Sequence, residues 1–362
     1  MPETVNSWPS KEGLRIGYLN INHALNKITE ISSILHNFSK HFHVFCFSES
    51  RLSAPITDSD ISIPGYNIIR RDPKVQKEIG LLLYYNQSVT LKRLFHLEKF
   101  HVESIWVEIK LKHSKHLIIG FIYRNPAERL DWFDNFTIMM DAVTLENKEF
   151  ILLGDFNIDL LKPQTQWAHL YQMFNLHQLI DKATRTTETS ETLIDHVYAL
   201  SKQNIIEICS PISGCSDHSP VCITWLKKGT RIPKSGHKVI QYRCYKNFDE
   251  NNFLLELSHS SLSLVYQYTD PDEALEFWLQ SFTRIYDKHV PIKIKRVKYV
   301  SKPPWLTEEI EQAMHFRDYL KANKDKDFKK QRNLVTSMIR ASKRNIFRIL
   351  FQTRIQSPFG ML

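Results

Sequence analysis

Between Leu14 and Trp225 the apolar residues come in runs of strand length, and one run after another stops on an acid, an amide or a turn residue. LRIGYLNI, VFCFSES, HLIIGFIYRNP, FILLGDFNIDLL and TLIDHVYAL follow this plan. None approaches the roughly 18 apolar residues of a membrane-spanning helix. SIWVEIKL alternates, with Ile105, Val107 and Ile109 on one face and Trp106 and Glu108 on the other, which is the period of a strand. IGLLLYYNQSVTLKRLF reads as a hairpin turning at Asn86 and Gln87. Helices are expected from ALNKITEISSILHNFSK, with Leu25, Ile28, Ile31, Ile34, Leu35 and Phe38 at helical spacing, from LDWFDNFTIMMDAVTL and from WAHLYQMFNLHQLID. Many strands and few helices imply an α+β fold whose mainly antiparallel sheets pack face to face.

Beyond Lys227 the character changes. KKGTRIPKSGHK is polar and broken by Gly and Pro, as a linker is. Helix start signals follow: Asp270 as N-cap with Pro271 and Glu273 behind it, and Thr307 with Glu308 and Glu309 in the first turn. A last helix from about Asp327 to Gln352 carries Val335, Met338, Ile339, Ile346 and Ile349 amid Lys and Arg. The expected organisation is a tail at 1–13, a folded domain at 14–226, a linker at 227–250 and a basic helical extension at 251–362.

Charge divides at the same place. Residues 1–226 hold 22 Lys+Arg against 25 Asp+Glu, a net of −3, and residues 227–362 hold 26 against 14, a net of +12, which sums to the chain's +9. A basic segment joined to a near-neutral one suits contact with an anionic polymer, with nucleic acid ahead of a membrane surface. The five cysteines, Cys46, Cys209, Cys215, Cys222 and Cys244, form no C-x-x-C pair, so reduced thiols are expected. The opening residues show no apolar stretch of signal-peptide type, which implies an intracellular protein of the nucleus or cytoplasm, neither secreted nor membrane-spanning.

The chemistry gathers at strand ends. Asp155 and Asn157 lie two residues apart after a buried strand and so share a face. Taken alone they suit a turn that satisfies its own backbone, but Asn20, Glu49, Tyr123 and Asp195 occupy other strand ends, and Asp217 and His218 stand just before the last strand. Carboxylates, amides, one imidazole and one phenol, without cysteine, are what one metal-assisted site assembled from several strand ends would contain. Hard oxygen donors suit Mg2+ or Mn2+ better than zinc. His36, His41 and His43 match no common zinc spacing. No G-x-S-x-G, H-E-x-x-H or G-x-x-x-x-G-K-[ST] motif occurs.

LNIN, FSESRL, IYRNP, LLGDFNID, TLIDHVY and SDHSPV, in that order, resemble the endonuclease/exonuclease/phosphatase superfamily, and most closely the apurinic-like endonuclease domain of non-LTR (LINE-type) retrotransposons. The resemblance spans residues 14–226. It implies a four-layered α/β sandwich, two packed sheets flanked by helices, followed here by a helical C-terminal extension. It also implies metal binding by Glu49 with Asn20 and Asp217, and water activation by Asp155 with Asn157 at the phosphate or the water. His218, oriented by Asp195, and Tyr123 would contact the scissile phosphate. Further DNA contacts would fall at Asn22, Arg124, Thr192 and Ser216. Where the family often has Gly after the second Asn of the first box, this chain has His23. TRTTETSETLID offers Thr184, Thr186, Thr187, Thr189 and Thr192 for a threonine that the family aims at DNA.

Residues 303–352 resemble the helical segment that joins endonuclease to reverse transcriptase in such elements. No two aspartates are adjacent anywhere, so the aromatic-x-Asp-Asp polymerase box is missing. The expectation is therefore the front part of a retrotransposon reading frame, unable to copy RNA, acting as a Mg2+-dependent endonuclease that nicks DNA to a 3′-hydroxyl and a 5′-phosphate. RNA is a second candidate partner, through the basic helices. Two other readings stand beside it: a phosphodiesterase of the same fold acting on RNA or phospholipid, and a catalytically silent nucleic-acid-binding remnant.

Overall fold

A computed structural model describes residues 8–36, 41–74, 78–111, 116–128, 131–187, 189–227, 237–298 and 303–355. The chain forms two compact units, Met1–Ser235 with Val300–Leu362, and Gly236–Tyr299. In chain order the larger unit runs β1 (Leu14–Asn20), α1 (Ile28–His36), β2 (Val44–Ser48), β3 (Tyr66–Arg71), β4 (Leu81–Asn86), β5 (Leu91–Arg93), β6 (Glu103–Ile109), β7 (Leu117–Tyr123) and α2 (Asp131–Leu145). It continues through β8 (Glu149–Asp155), α3 (Thr165–Met173), β9 (His177–Gln178), β10 (Arg185–Thr186), β11 (Glu191–Thr192), β12 (Asp195–Ala199), β13 (Ile205–Cys209) and β14 (Val221–Trp225). The smaller unit holds β15 (His237–Arg243), α4 (Glu250–Ser258), α5 (Pro271–His289) and β16 (Ile292–Lys298). Two helices, α6 (Glu308–Ala322) and α7 (Phe328–Ile355), then complete the larger unit.

Two six-stranded sheets form the larger unit, in the orders β13-β14-β1-β2-β4-β3 and β5-β6-β7-β8-β12-β9. Each is mixed, with one parallel pairing, β1 with β2 and β7 with β8, among antiparallel ones. Alternation along the strands decides the layering. Tyr18, Cys46 and Leu83 of the first sheet meet Ile105, Phe121, Leu153 and Val197 of the second in the central core. The outer face of the second sheet, with Trp106, Ile118 and Leu152, buries against Trp132, Phe136 and Met139 of α2 and Trp167 of α3. On the far side, Leu19, Phe45, Phe47 and Tyr84 cover Ile31, Ile34 and Leu35 of α1. The four layers implied by the resemblance are present. All five cysteines are free, and no described helix is long and apolar enough to cross a membrane.

Several local expectations change. Asn86 and Gln87 do not close a hairpin between β4 and β5. The turn forms, with Val89 N–H donating to the Asn86 carbonyl, but β5 pairs with β6 in the other sheet, so this loop carries the chain between layers. WAHLYQMFNLHQLID is helical only to Met173, because Asn175 takes a left-handed φ of 54° and the chain leaves as β9. Within the interval read as linker, His237–Arg243 pairs over its whole length with Ile292–Lys298. The partner lies far along the chain, so no local pattern announces it. Residues read as one helical extension fall in both units. Phe38 and residues 228–236 lie outside the described residues, and of Ile349 only its place in α7 is described.

In α5, Asp270 caps the helix as expected by accepting from Asp272 N–H at 2.9 Å, Ile285 is buried and Trp278 stacks on Phe282 at 5.0 Å, while Leu275 stays exposed. Thr307 caps α6. Val335 and Ile339 of the expected α7 stripe pack on Ile310 and Met314 of α6.

Gly154 illustrates how closely β7 and β8 approach. A Cβ there would collide with the backbone carbonyl of Ile122, which cannot swing aside. Gly154→Ala should therefore lower stability by about 1–3 kcal/mol, the usual cost of overpacking, read as a shift of the urea midpoint at unchanged slope. An unmoved midpoint would mean that the strands spread freely.

Candidate active site

Register brings the expected residues together. Tyr123 pairs with Asp155, and Asp155 with Asp195, so phenol and two carboxylates form one row across the end of the second sheet, and Glu103 extends that row from β6. From the first sheet, Asn20 at the end of β1 and Glu49 just after β2 face the same row. The Asn20 Nδ2 donates to Asp155 Oδ2 at 3.0 Å and to Glu49 Oε1 at 2.7 Å, and the Tyr123 hydroxyl donates to that Glu49 oxygen at 3.2 Å. On the other flank, His218 Nδ1 donates to Asp195 Oδ2 at 2.8 Å and stands 4.0 Å from Asp155 Oδ2. Six residues named from the sequence thus share one site.

The strand ends that deliver them are strained. Glu49, Arg51 and Asn157 take φ of 50°, 50° and 49°, and Asn22 and His23 take 45° and 80°. Left-handed conformations outside glycine cost free energy and persist where the surroundings over-determine them. His23 thus adopts a conformation that favours glycine.

Burial sets the electrostatics. Asp155 is 1 % exposed, and burial, together with the Asp195 carboxylate, pushes its pKa up. Opposing that rise, it accepts from Asn20 and from Asn157 N–H at 3.0 Å. For His218, burial disfavours the cation, but the attraction of Asp195 and then Asp155 outweighs it and pushes the pKa up to about 9. The imidazole is therefore charged at neutral pH, its Nδ1 proton committed to Asp195. Burial and the carboxylates of Glu49 and Asp155 keep the Tyr123 phenol protonated.

Other expected residues have different surroundings. Asp217 forms an ion pair with Arg185 at 2.8 Å and stands apart from the Asp155, Asp195 and His218 cluster. Asn157 gives its Nδ2 to the Arg124 carbonyl at 2.7 Å, so it braces the Asp155 loop. Arg124, expected to reach DNA, turns inward over the Trp132 and Phe133 rings and donates to the carbonyls of Phe156 and Glu128. Ser216 is buried and ties the two sides of the site, donating to the Asn20 carbonyl at 2.7 Å and accepting from His218 N–H at 3.2 Å. Thr184, among the candidate threonines, is buried and accepts from Ile194 and Asp195 N–H. Asn22 is exposed and Thr192 half-buried. Asp159 is a turn residue, accepting from Leu161 and Leu193 N–H. His36 and His43 bond to backbone groups, as structural histidines do.

Three contributions were missed in the sequence. Arg185 brings a cation to the rim of the site. His196, next to Asp195, is fully buried and its pKa is lowered to about 4 by that burial. It receives the Tyr198 hydroxyl at Nδ1 and donates from Nε2 to the Ile158 carbonyl, which anchors the loop after Asp155. Helix α6 clamps the loop before His218: Asp318 accepts from Gly214 N–H at 2.7 Å, and the Lys321 ammonium donates to the carbonyls of Ser213 and Ser216. Gly214 leaves room for this contact, since a Cβ there would strike Arg317.

Similar folds are known among enzymes. The chain is similar to the endonuclease domain of TRAS1, a telomere-specific non-LTR retrotransposon, at 11% identity and a TM-score of 0.46, covering 59% of this chain and 99% of that one. AP endonuclease LMAP from Leishmania major matches at 14% identity and a TM-score of 0.48, covering 59% and 88%. The catalytic domain of Xenopus laevis APE2 matches at 14% and 0.47, covering 60% and 94%. No family model and no curated protein matches the sequence.

The donor set fits a hard divalent cation. Glu49 Oε1 and Asp155 Oδ2 converge on one amide, Asn20 Nδ2, and Asp195 Oδ1 is buried without a hydrogen-bond partner among the described residues, whereas His218, being charged, offers no ligand atom. Buried carboxylate oxygens that lack a donor are costly unless something positive meets them.

Proposed function

We propose that the chain is a divalent-cation-dependent phosphodiester hydrolase that nicks one strand of DNA and leaves a 3′-hydroxyl and a 5′-phosphate. One observation carries this reading: a buried carboxylate of raised basicity, Asp155, is held 4.0 Å from an imidazole that Asp195 keeps charged. Asp155 takes the proton of the attacking water, whose oxygen bonds to phosphorus as the P–O3′ bond breaks and O3′ leaves to acquire a proton. The His218 cation stabilises the negative charge that grows on the phosphate oxygens. Tyr123, kept neutral, has one hydroxyl proton, given to Glu49 in the free protein and turned to the same group when substrate binds. Asn20 and Asn157 hold the Asp155 carboxylate in place. Glu49 and Asn20, with Asp155 beside them, would hold Mg2+ or Mn2+, which when bound neutralises charge on the phosphate.

Supercoiled plasmid tests the proposal. The protein should convert it to open circles in Mg2+, and EDTA should return the rate to background. A DNA polymerase should extend the nicks directly, without phosphatase treatment. Nicks ending in 3′-phosphate, or undiminished activity in EDTA, would refute this chemistry.

A further inference from the structure

A cleft of about 1020 Å³ begins beside the candidate site and runs between the loops that carry it and the two C-terminal helices of the same unit. Ser216 and Asp217 line it from the loop before β14, Lys27 and Glu30 from the start of α1, and Arg332, Thr336 and Arg340 from α7. Eight of its lining residues are Lys or Arg and three are Asp or Glu, Glu30, Asp217 and Asp325. Some of these cations have structural duties. Arg317 pairs with Glu30 at 2.7 Å, and Lys321 serves loop carbonyls. Others do not: Lys326, Arg332 and Arg340 are exposed and make no ion pair among the described residues.

Their spacing matters. Arg332, Thr336 and Arg340 recur every four residues and so share one face of α7, turned to the cleft. From Lys329 to Arg340 that face extends roughly 16 Å at about 1.5 Å per residue, the axial length of about five nucleotides of a DNA strand at 3.4 Å each. The geometry points to this cleft as a docking groove for the sugar-phosphate backbone of duplex DNA flanking the bond to be cut, with α7 supplying the cationic wall. The inference deepens the hydrolase reading and rests on it for the position of the cut.

Physically, Lys and Arg along a groove draw a polyanion by releasing its counterions, so binding through them is salt-dependent. The Asp217–Arg185 pair stands at the end of the cleft nearest the site, since Asp217 lines the cleft and the Asp155 and Glu49 carboxylates act on Arg185. Lys321 and Gly214 then link the groove wall to the loop that carries His218.

Equilibrium binding of a fluorescein-labelled 20-base-pair DNA duplex in EDTA, where no turnover occurs, tests the groove on the full chain. The triple variant Lys326→Gln, Arg332→Gln, Arg340→Gln should weaken binding about tenfold at low salt and reduce the slope of log K against log salt by about 2–3. Lys202→Gln, a surface control elsewhere, should leave both as in the wild type. Circular dichroism should show the same fold in the triple variant, since all three residues are exposed. Unchanged affinity and slope in the triple variant would overturn the groove, even if the wild type nicks plasmid. Loss of affinity for an RNA duplex alone, with DNA binding unchanged, would overturn it in favour of an RNA groove. A wild type that binds DNA through these residues but never nicks would sink the hydrolase reading and leave the groove standing.

Discussion

Asp155→Asn should slow nicking by roughly 10²–10⁴ while gaining stability relative to the wild type as pH rises from 4 to 8. The substitution keeps the side-chain shape and the hydrogen bond from Asn157 N–H, but it sets an amide N–H2 against Asn20 Nδ2, where the carboxylate accepted, and removes the group that accepts the water proton, a loss of roughly 10²–10⁴ in rate. Stability moves the other way. The folded-state pKa of Asp155 lies above its value in the unfolded chain, so the folded protein binds this proton more tightly. The stability so gained is present below the unfolded pKa, near 3.9 in model peptides, and is lost as pH rises through the raised value. At pH 8 the wild type carries an ionised buried carboxylate beside Asp195, and the variant does not. In EDTA, the unfolding midpoint of the variant should therefore rise relative to that of the wild type between pH 4 and pH 8, on top of a pH-independent cost from the lost Asn20 contact. A midpoint difference that stays constant from pH 4 to pH 8 would show that Asp155 does not titrate as a buried acid, and undiminished nicking would overturn its role as the base.

That opposition between stability and activity also explains what the sequence could reveal. Strand alternation placed Ile105, Val107 and Ile109 in the central core and Trp106 against α2, because a pleated strand leaves no other choice. Strand ends likewise exposed Asn20, Glu49, Tyr123, Asp155 and Asp195, since a polar group closing an apolar run has only the sheet edge to occupy. Loops obey no such period. Whether Arg124 turns toward solvent or over Trp132, and whether Asp217 faces the cluster or Arg185, is decided by partners distant in sequence. The pairing of β15 with β16 and the docking of α6 are hidden for the same reason: each depends on a segment far along the chain.

Arg317→Met should be the most damaging change outside the active site. The guanidinium side chain is 4 % exposed and bonds to Glu30 of α1 at 2.7 Å and to Asp318 at 2.8 Å, while Asp318 also holds Gly214 N–H. Methionine retains most of the apolar stem, so the loss isolates the charge. Removing one partner of a buried pair leaves the other carboxylates uncompensated and costs about 3–5 kcal/mol. The consequence should reach His218, because Asp318 and Lys321 fix the loop from Ser213 to Ser216 that delivers it. A histidine whose folded pKa is raised contributes stability fully present below its unfolded pKa, near 6.5, and lost as pH rises through about 9. If the loop loosens, the contact with Asp195 weakens and that window narrows. The carbon-13 imidazole signal of His218, which should titrate near 9 in the wild type, should move down toward 6.5 in Arg317→Met, with nicking reduced in parallel. A variant that loses stability but keeps the His218 midpoint would show that α6 supports the fold without positioning the imidazole, whereas a variant as stable as the wild type would show that α6 is not anchored through Arg317 at all.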